Sequence, residues 1–285
     1  MLAASTLHKN QFPFIVLDRP NPLNGTLVQG PMLNLSFSSF VGRIPLPLLH
    51  GMTIGELSLY FQKYIATNTN TSSTINVQVI RMNGWERTMS WESTNIPWIL
   101  TSPNMPTIDT VRMYPGMCLI EGTTLSEGRG TTKPFQMVGG DWLNYTFSDR
   151  VRRLHRLMKM NIHVRETYFI PTYSKCMNNV TTGVSYVFNN EQYNIHPMKL
   201  SLTLIAVAMI ESINSTFSFI NDGKHFDQLL GNNVTRLYLL KQIYGGGGGM
   251  NDHAIIDVVN DILLMHDNDL LRSNFIQDRL QYLLY

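Results

Sequence analysis

The stretch FIVLDRPNPLNG, residues 14–25, decides how the fold is read. Phe14 to Leu17 is a continuous apolar run that meets turn residues at once, the pattern of a strand buried on both faces of a parallel sheet. Downstream, HGMTIGELSLYFQKYIAT (50–67) places Ile54, Leu57, Phe61 and Ile65 at helical spacing, and TINVQVIRM (74–82) alternates as a second strand. Strand, helix and strand in that order form an α/β unit. Ligands of open α/β sheets bind beyond the carboxyl ends of the strands, so Asp18 and Arg19 stand where a site would lie. The competing role for the pair is an ion pair or a turn anchor, because Asp and Asn commonly close turns of the Pro-Asn-Pro kind.

Between Trp85 and Phe135 no period survives, and Pro, Gly, Asn and Thr crowd together with aromatics; this predicts ordered loops lining a cleft. Farther on, FSDRVRRLHRLMKMN (147–161) predicts a helix opened by Ser148, and VRETYFIPTY (164–173) and GVSYVFN (183–189) predict strands. HPMKLSLTLIAVAMIESI (196–213) predicts a helix started by Pro197. The glycines from Gly245 to Gly249 predict a flexible break, and residues 253–266 and 268–285 carry two closing helical patterns.

Composition narrows the function classes. The chain has 285 residues, 44% hydrophobic and 15% charged, enough to bury a sizeable core. A net charge of +2 argues neither for nor against nucleic acid, and no basic stripe with interleaved aromatics supports such a partner. The longest apolar run, LTLIAVAMI from Leu202, is too short to span a bilayer, and MLAASTLHKNQ lacks a signal-peptide core, so no membrane span is expected and no compartment can be read. Cys118 and Cys176 cannot build a disulfide framework; two isolated thiols are expected, with a single bridge left open. Seven Asn-x-Ser/Thr sequons occur, at Asn24, Asn34, Asn70, Asn144, Asn179, Asn214 and Asn233, several of them by chance in a chain so rich in these residues.

Two carboxylate neighbourhoods carry candidate chemistry. Thr53 and Glu56 spell Thr-x-x-Glu before an apolar helical face, a capping box complete in itself. His50 and Gly51 precede it, and a helix start is also where a reacting carboxylate or an anion can be held. In EGTTLSEGRGT (121–131), Glu121, Glu127 and Arg129 alternate with Gly122, Gly128 and Gly130; glycine permits close backbone approach to a ligand, and arginine offers a planar fork for a carboxylate. The segment lacks the Gly-Lys-Ser/Thr ending of a P-loop. Paired carboxylates beside an arginine suit glycoside hydrolysis. No nucleophile elbow, zinc-binding histidine pair or dinucleotide fingerprint occurs, so neither a cofactor nor a metal is expected.

The phrases VLDRPNPLNG, GPML, SFVGRIPLPLLHGMTIGEL, GWER, SPNMPT, YPGMCLIEGTTLSEGRGTTKPF, FIPTYSK and the terminal YLLY, in this order, resemble the DUF1343 family, which includes exo-β-N-acetylmuramidases of the NamZ type. The resemblance implies a partial Rossmann-like parallel-sheet domain with cleft loops over residues 1–145 and a smaller α+β carboxy-terminal domain over 146–285, with the active cleft between them. It implies removal of terminal N-acetylmuramic acid from the non-reducing ends of peptidoglycan fragments, hence a muramic-acid-containing saccharide as partner. On that reading Glu56 and Glu127 are the candidate acid/base groups, and Asp18, Arg19, Asn21, His50, Asn104, Glu121 and Arg129 the candidate substrate-binding residues. Arg19 or Arg129 would meet the lactyl carboxylate.

Family members also carry a longer segment ahead of the Leu-Asp-Arg-Pro-Asn-Pro phrase, with Pro-Glu-His-Gly and Asp-Ile-Gln-Asp-x-Gly-x-Arg motifs that do not occur here. This leads to the expectation of a truncated chain whose sheet edge is exposed and open to self-association. It also keeps a second reading alive, a non-catalytic saccharide-binding or structural remnant.

Overall fold

The computed structural model describes residues 13–68, 76–188, 196–212, 216–245 and 249–285. In chain order the elements are β1 (Phe14–Leu17), β2 (Gln29–Met32), β3 (Pro47–Leu49), α1 (Ile54–Asn68), β4 (Val77–Ile80), α2 (Ile108–Met117), β5 (Met137–Gly140), α3 (Tyr145–Leu157), β6 (His163–Phe169), β7 (Thr181–Val187), α4 (Pro197–Glu211), α5 (Lys224–Leu230), α6 (Val234–Tyr244), α7 (Asp252–Asp267) and α8 (Leu270–Arg279). This is an α/β fold in two compact units: residues 1–28, 49–97 and 273–285 form one, and 29–48 with 98–272 form the other.

In the first unit β1 and β4 pair in parallel, Phe14 opposite Val77 and Leu17 opposite Ile80, with α1 as the crossover the sequence predicts. The strand is not buried on both faces. Val16 is 8% exposed, whereas Ile15, Leu17 and Ile80 are exposed at 55%, 70% and 55%. Within the described residues the sheet has two strands, so one face of each lacks a covering layer. Helix α1 likewise buries Gly55, Glu56 and Ser58 while Ile54 faces solvent, so polar contacts seat its first turn where apolar ones were predicted.

The second unit holds the large apolar core. Helix α4 is buried from Pro197 to Met209 except at Lys199, as expected of a helix that is apolar nearly all round, and Pro197 takes its first position. The core continues through Met113, Phe135, Phe147, Leu154, Val184, Tyr186, Phe226 and Ile262. Strands β5, β7 and β6 form an antiparallel sheet in that order. Two local expectations change. Helix α3 is capped by Asn144, whose side chain accepts from Thr146 N–H, while Ser148 lies buried and donates to the Gly183 carbonyl at 2.8 Å. The loop predicted over 85–135 contains α2, capped by Thr107 and carrying Pro115 inside. Helices α5 and α6 also lie in a stretch for which the sequence signalled no element. Of the predicted glycine break, Gly246 to Gly248 lie outside the described residues.

No helix among the described residues is long and apolar enough to cross a membrane. Both cysteines are free thiols, Cys118 buried and Cys176 half-buried.

Candidate functional site

The candidate residues fall into two clusters, one in each unit. In the first unit, the loop after β1 and the start of α1 converge on Asp18. Its carboxylate accepts from Arg19 N–H (2.9 Å), Gly55 N–H (2.8 Å), Thr53 Oγ1 (2.7 Å) and Tyr285 Oη (2.9 Å). Glu56 forms the reciprocal capping box: Glu56 N–H donates to Thr53 Oγ1 at 3.2 Å and Thr53 N–H to Glu56 Oε2 at 2.9 Å. Its other oxygen accepts from Leu284 N–H at 2.8 Å and from the Arg87 guanidinium. Glu56 is fully buried, and each of its oxygens has a protein donor.

Asn21 ties the same loop down, accepting from Leu23 N–H and donating to the Met52 carbonyl. His50 Nδ1 accepts from Met52 N–H at 3.1 Å, and burial, with Arg279 nearby, pushes its pKa down to about 4, so the ring is neutral at pH 7. The Arg19 side chain is exposed and joins no other described residue by ion pair or hydrogen bond.

Three residues that the motif reading passed over complete this cluster. Arg87 Nη1 donates to the carbonyls of Gly25 and Gly51, Arg279 Nη1 to that of His50 at 2.7 Å, and the Tyr285 ring packs edge-on against Trp85 at 5.1 Å. Arg87 sits in GWER and Tyr285 in YLLY, so the phrases that carried the family resemblance held the signal. The result is a hydrogen-bonded lock in which charged groups do the work of a small apolar core.

The second cluster is built on the loop between α2 and β5. Glu127 is 2% exposed, with Lys175 Nζ 2.8 Å from Oε2 and Arg129 Nε 3.3 Å from Oε1. Arg129 also reaches Glu121 at 3.1 Å and lies over the Phe135 ring at 4.9 Å, against which Tyr114 packs edge-on. Lys175 donates in addition to the carbonyls of Ile120 and Thr123, both at 2.9 Å. Burial pulls the Lys175 ammonium below its ordinary pKa while Glu127 pulls the other way; burial carries the Tyr114 phenol and the Cys118 thiol each up to about 12.

Backbone strain concentrates here. Phe135, a buried bulky residue, has φ 62°, and Ser174, Cys176 and Asn178, either side of Lys175 and beyond, have φ 72°, 57° and 62°. Such conformations cost roughly 1–3 kcal/mol each and gather where a site must be held in one shape. Gly128 and Gly130 also have positive φ, but a Cβ on Gly130 would meet the Tyr173 backbone at 2.7 Å and one on Gly128 the Met137 carbonyl at 2.6 Å. The glycines therefore serve close approach of the chain to itself, where the sequence suggested approach to a ligand. Beside this cluster lies a pocket of about 370 Å³ whose lining includes Trp142, Asp141, Lys175, Thr124 and Thr216. Asn104 accepts from the Tyr173 hydroxyl at 2.6 Å, which ties it to the strained loop. Among the described residues no three His, Cys, Asp or Glu side chains are grouped to hold a metal ion.

Comparison with known proteins names the family. The profile described as exo-beta-N-acetylmuramidase NamZ, N-terminal, matches residues 1–109, and its C-terminal counterpart matches 112–246. The peptidoglycan beta-N-acetylmuramidase NamZ of Bacillus subtilis (strain 168) is 38% identical over 235 residues, covering 82% of this chain and 54% of that protein. The chain thus spans about half the length of that relative. A DUF1343 family protein from Bacteroides fragilis NCTC 9343 shares the fold with a TM-score of 0.79 at 23% identity, and a second from the same organism has a TM-score of 0.71 at 26%. Each match covers 99% of this chain and 69% of the solved chain. With both profiles in register along the chain and the relative alongside, the chain belongs to the NamZ family, DUF1343.

Proposed function

We propose that the chain recognises the terminal N-acetylmuramic acid at the non-reducing end of peptidoglycan fragments and acts on it as an exo-β-N-acetylmuramidase. The 38% identity to the Bacillus subtilis muramidase carries this reading. The second unit adds support. Its pocket joins the Trp142 ring, which offers an apolar platform, to Asp141, Thr124 and Thr216, which offer polar partners for sugar hydroxyl and amide groups. Glu127 and Glu121, arranged about Arg129, are the carboxylates nearest in kind to those a glycosidase needs. Arg129 is already shared between these two glutamates, so it would have to leave one of them to meet the lactyl carboxylate.

One observation favours the second reading, binding without hydrolysis. Both oxygens of Glu56 accept from donors of the protein, leaving neither free to attack or to shuttle a proton without a rearrangement, and Glu127 is held in ion pairs with Arg129 and Lys175, with its buried Oε2 lacking a hydrogen bond. Incubating the folded chain with a chromogenic N-acetyl-β-muramide separates the two. Release of the chromophore supports the hydrolase; saturable binding with no release supports the binding protein; the absence of both overturns the substrate assignment.

We also infer that the exposed face of β1 and β4 leads the chain to self-associate. Ile15, Leu17 and Ile80 lie on that face, and among the described residues the sheet has no strand beyond β1 and β4. Sedimentation velocity should show concentration-dependent association that Leu17→Lys reduces; a monomer at all concentrations would contradict it.

A further inference from the structure

We propose that the groove between the end of α3 and the start of β6 is a binding site for a small oxyanion, a carboxylate or phosphate group carried on a compact apolar body. The groove has a volume of about 370 Å³ and is lined by Arg152, Arg156, Met160, Ile162, His163 and Val164, with Asp149 as its one carboxylate. Arg152 and Arg156, four residues apart, share a face of α3, and the apolar side chains come from the turn and from β6. None of these residues belongs to either cluster described above.

The charges do not cancel. Asp149 is divided between Arg152, at 3.2 Å, and Arg153, at 3.0 Å. The Arg156 side chain is exposed and joins no other described residue by ion pair or hydrogen bond. Arg152 keeps 41% of its side chain exposed, and its Nε makes no hydrogen bond within the protein.

Helix capping does not explain the excess. The last carbonyls of α3 are already taken: Leu154 by Met158 N–H, Arg156 by Lys159 N–H and His155 by Met160 N–H. Lys159 itself stands at φ 51° in the position a glycine would fill with least strain, which adds another cation next to Met160. His155 also lines the groove but adds no charge at pH 7, because burial pushes its pKa down to about 4 against the pull of the Val151 carbonyl on Nδ1. Two partly exposed guanidinium groups facing one divided carboxylate match the planar, multiply accepting oxygens of a carboxylate or phosphate.

Titration of inorganic phosphate, and separately of acetate, into the full chain at constant ionic strength, followed by amide NMR, tests the site. The expected result is saturable shifts at Arg156, His163 and Val164, with affinity lowered about tenfold in Arg156→Gln, the loss of one charge-assisted hydrogen bond. Lys224→Gln, which removes an exposed cation elsewhere in the same unit, should leave affinity unchanged. Tighter phosphate binding would mark a phosphorylated ligand, and tighter acetate binding a carboxylate. Shifts that fail to saturate, an affinity unchanged in Arg156→Gln, or an equal loss in Lys224→Gln would each overturn the proposal.

Discussion

Glu56→Ala should cost the protein roughly 3–5 kcal/mol of stability, because removing one partner of a buried ion pair leaves the other charge without compensation. Glu56 is fully buried, and its carboxylate closes three separate connections: the start of α1 through Thr53 N–H, the carboxy-terminal segment through Leu284 N–H, and the loop after β4 through Arg87. Alanine empties all three at once. Arg87 would retain only carbonyl acceptors, and Tyr285, which accepts from Met82 N–H and donates to Asp18, would lose the anchoring of its neighbour. Urea denaturation followed by circular dichroism measures the loss. A variant that keeps wild-type stability but loses activity on muramides would return Glu56 to a catalytic role; an unstable variant whose residual folded fraction retains activity fits the structural lock.

Glu127→Ala should have an effect of similar size on stability, roughly 3–5 kcal/mol, and should in addition abolish muramide binding. Lys175 and Arg129 both lean on this carboxylate, and Lys175 lines the pocket. Without Glu127, burial would pull the Lys175 ammonium further below its ordinary pKa, and the loop from Ser174 to Asn178 would lose the contact that holds its strained backbone. Glu127→Gln keeps the volume and one oxygen acceptor, so it separates fold from chemistry. Its stability should fall by less than that of the alanine variant, while turnover or binding of an N-acetylmuramide falls as far.

Much of the first unit could be read in the residues alone. Phe14–Leu17, the helix after Thr53 and the strand around Val77–Ile80 lie as predicted, and the Thr53–Glu56 capping box forms in full. The exposure of Ile15 and Leu17 could not be read, because an apolar run reports what a strand can bury and not which layers are at hand to cover it. Helix α2 escaped because Pro115 and Gly116, strong breakers by propensity, sit inside it, where packing against α4 overrides local preference. Ser148 looked like a cap but was outranked by Asn144, and that choice also gives a structural use to one sequon: Asn144 Oδ1 accepts from both the backbone and the hydroxyl of Thr146. Asn34 likewise caps a short turn through Ser36 N–H.

The candidate carboxylates were found, but not how they are used. Spacing brings Glu121, Glu127 and Arg129 together and the structure pairs them; that Asp18 and Glu56 spend all their oxygens on the protein depends on Arg87, Leu284 and Tyr285, which are distant in sequence. Lys175 was present in FIPTYSK, but without the fold nothing joined it to Glu127.

Isothermal titration of N-acetylmuramic acid into the wild-type chain and into Trp142→Ala tests the proposal that the pocket beside Glu127 and Trp142 receives a muramic-acid saccharide. Saturable binding by the wild type is expected, weakened at least about tenfold when the aromatic platform is removed from a folded protein. Equal affinity in both proteins, or no binding by a folded wild-type chain, would contradict it.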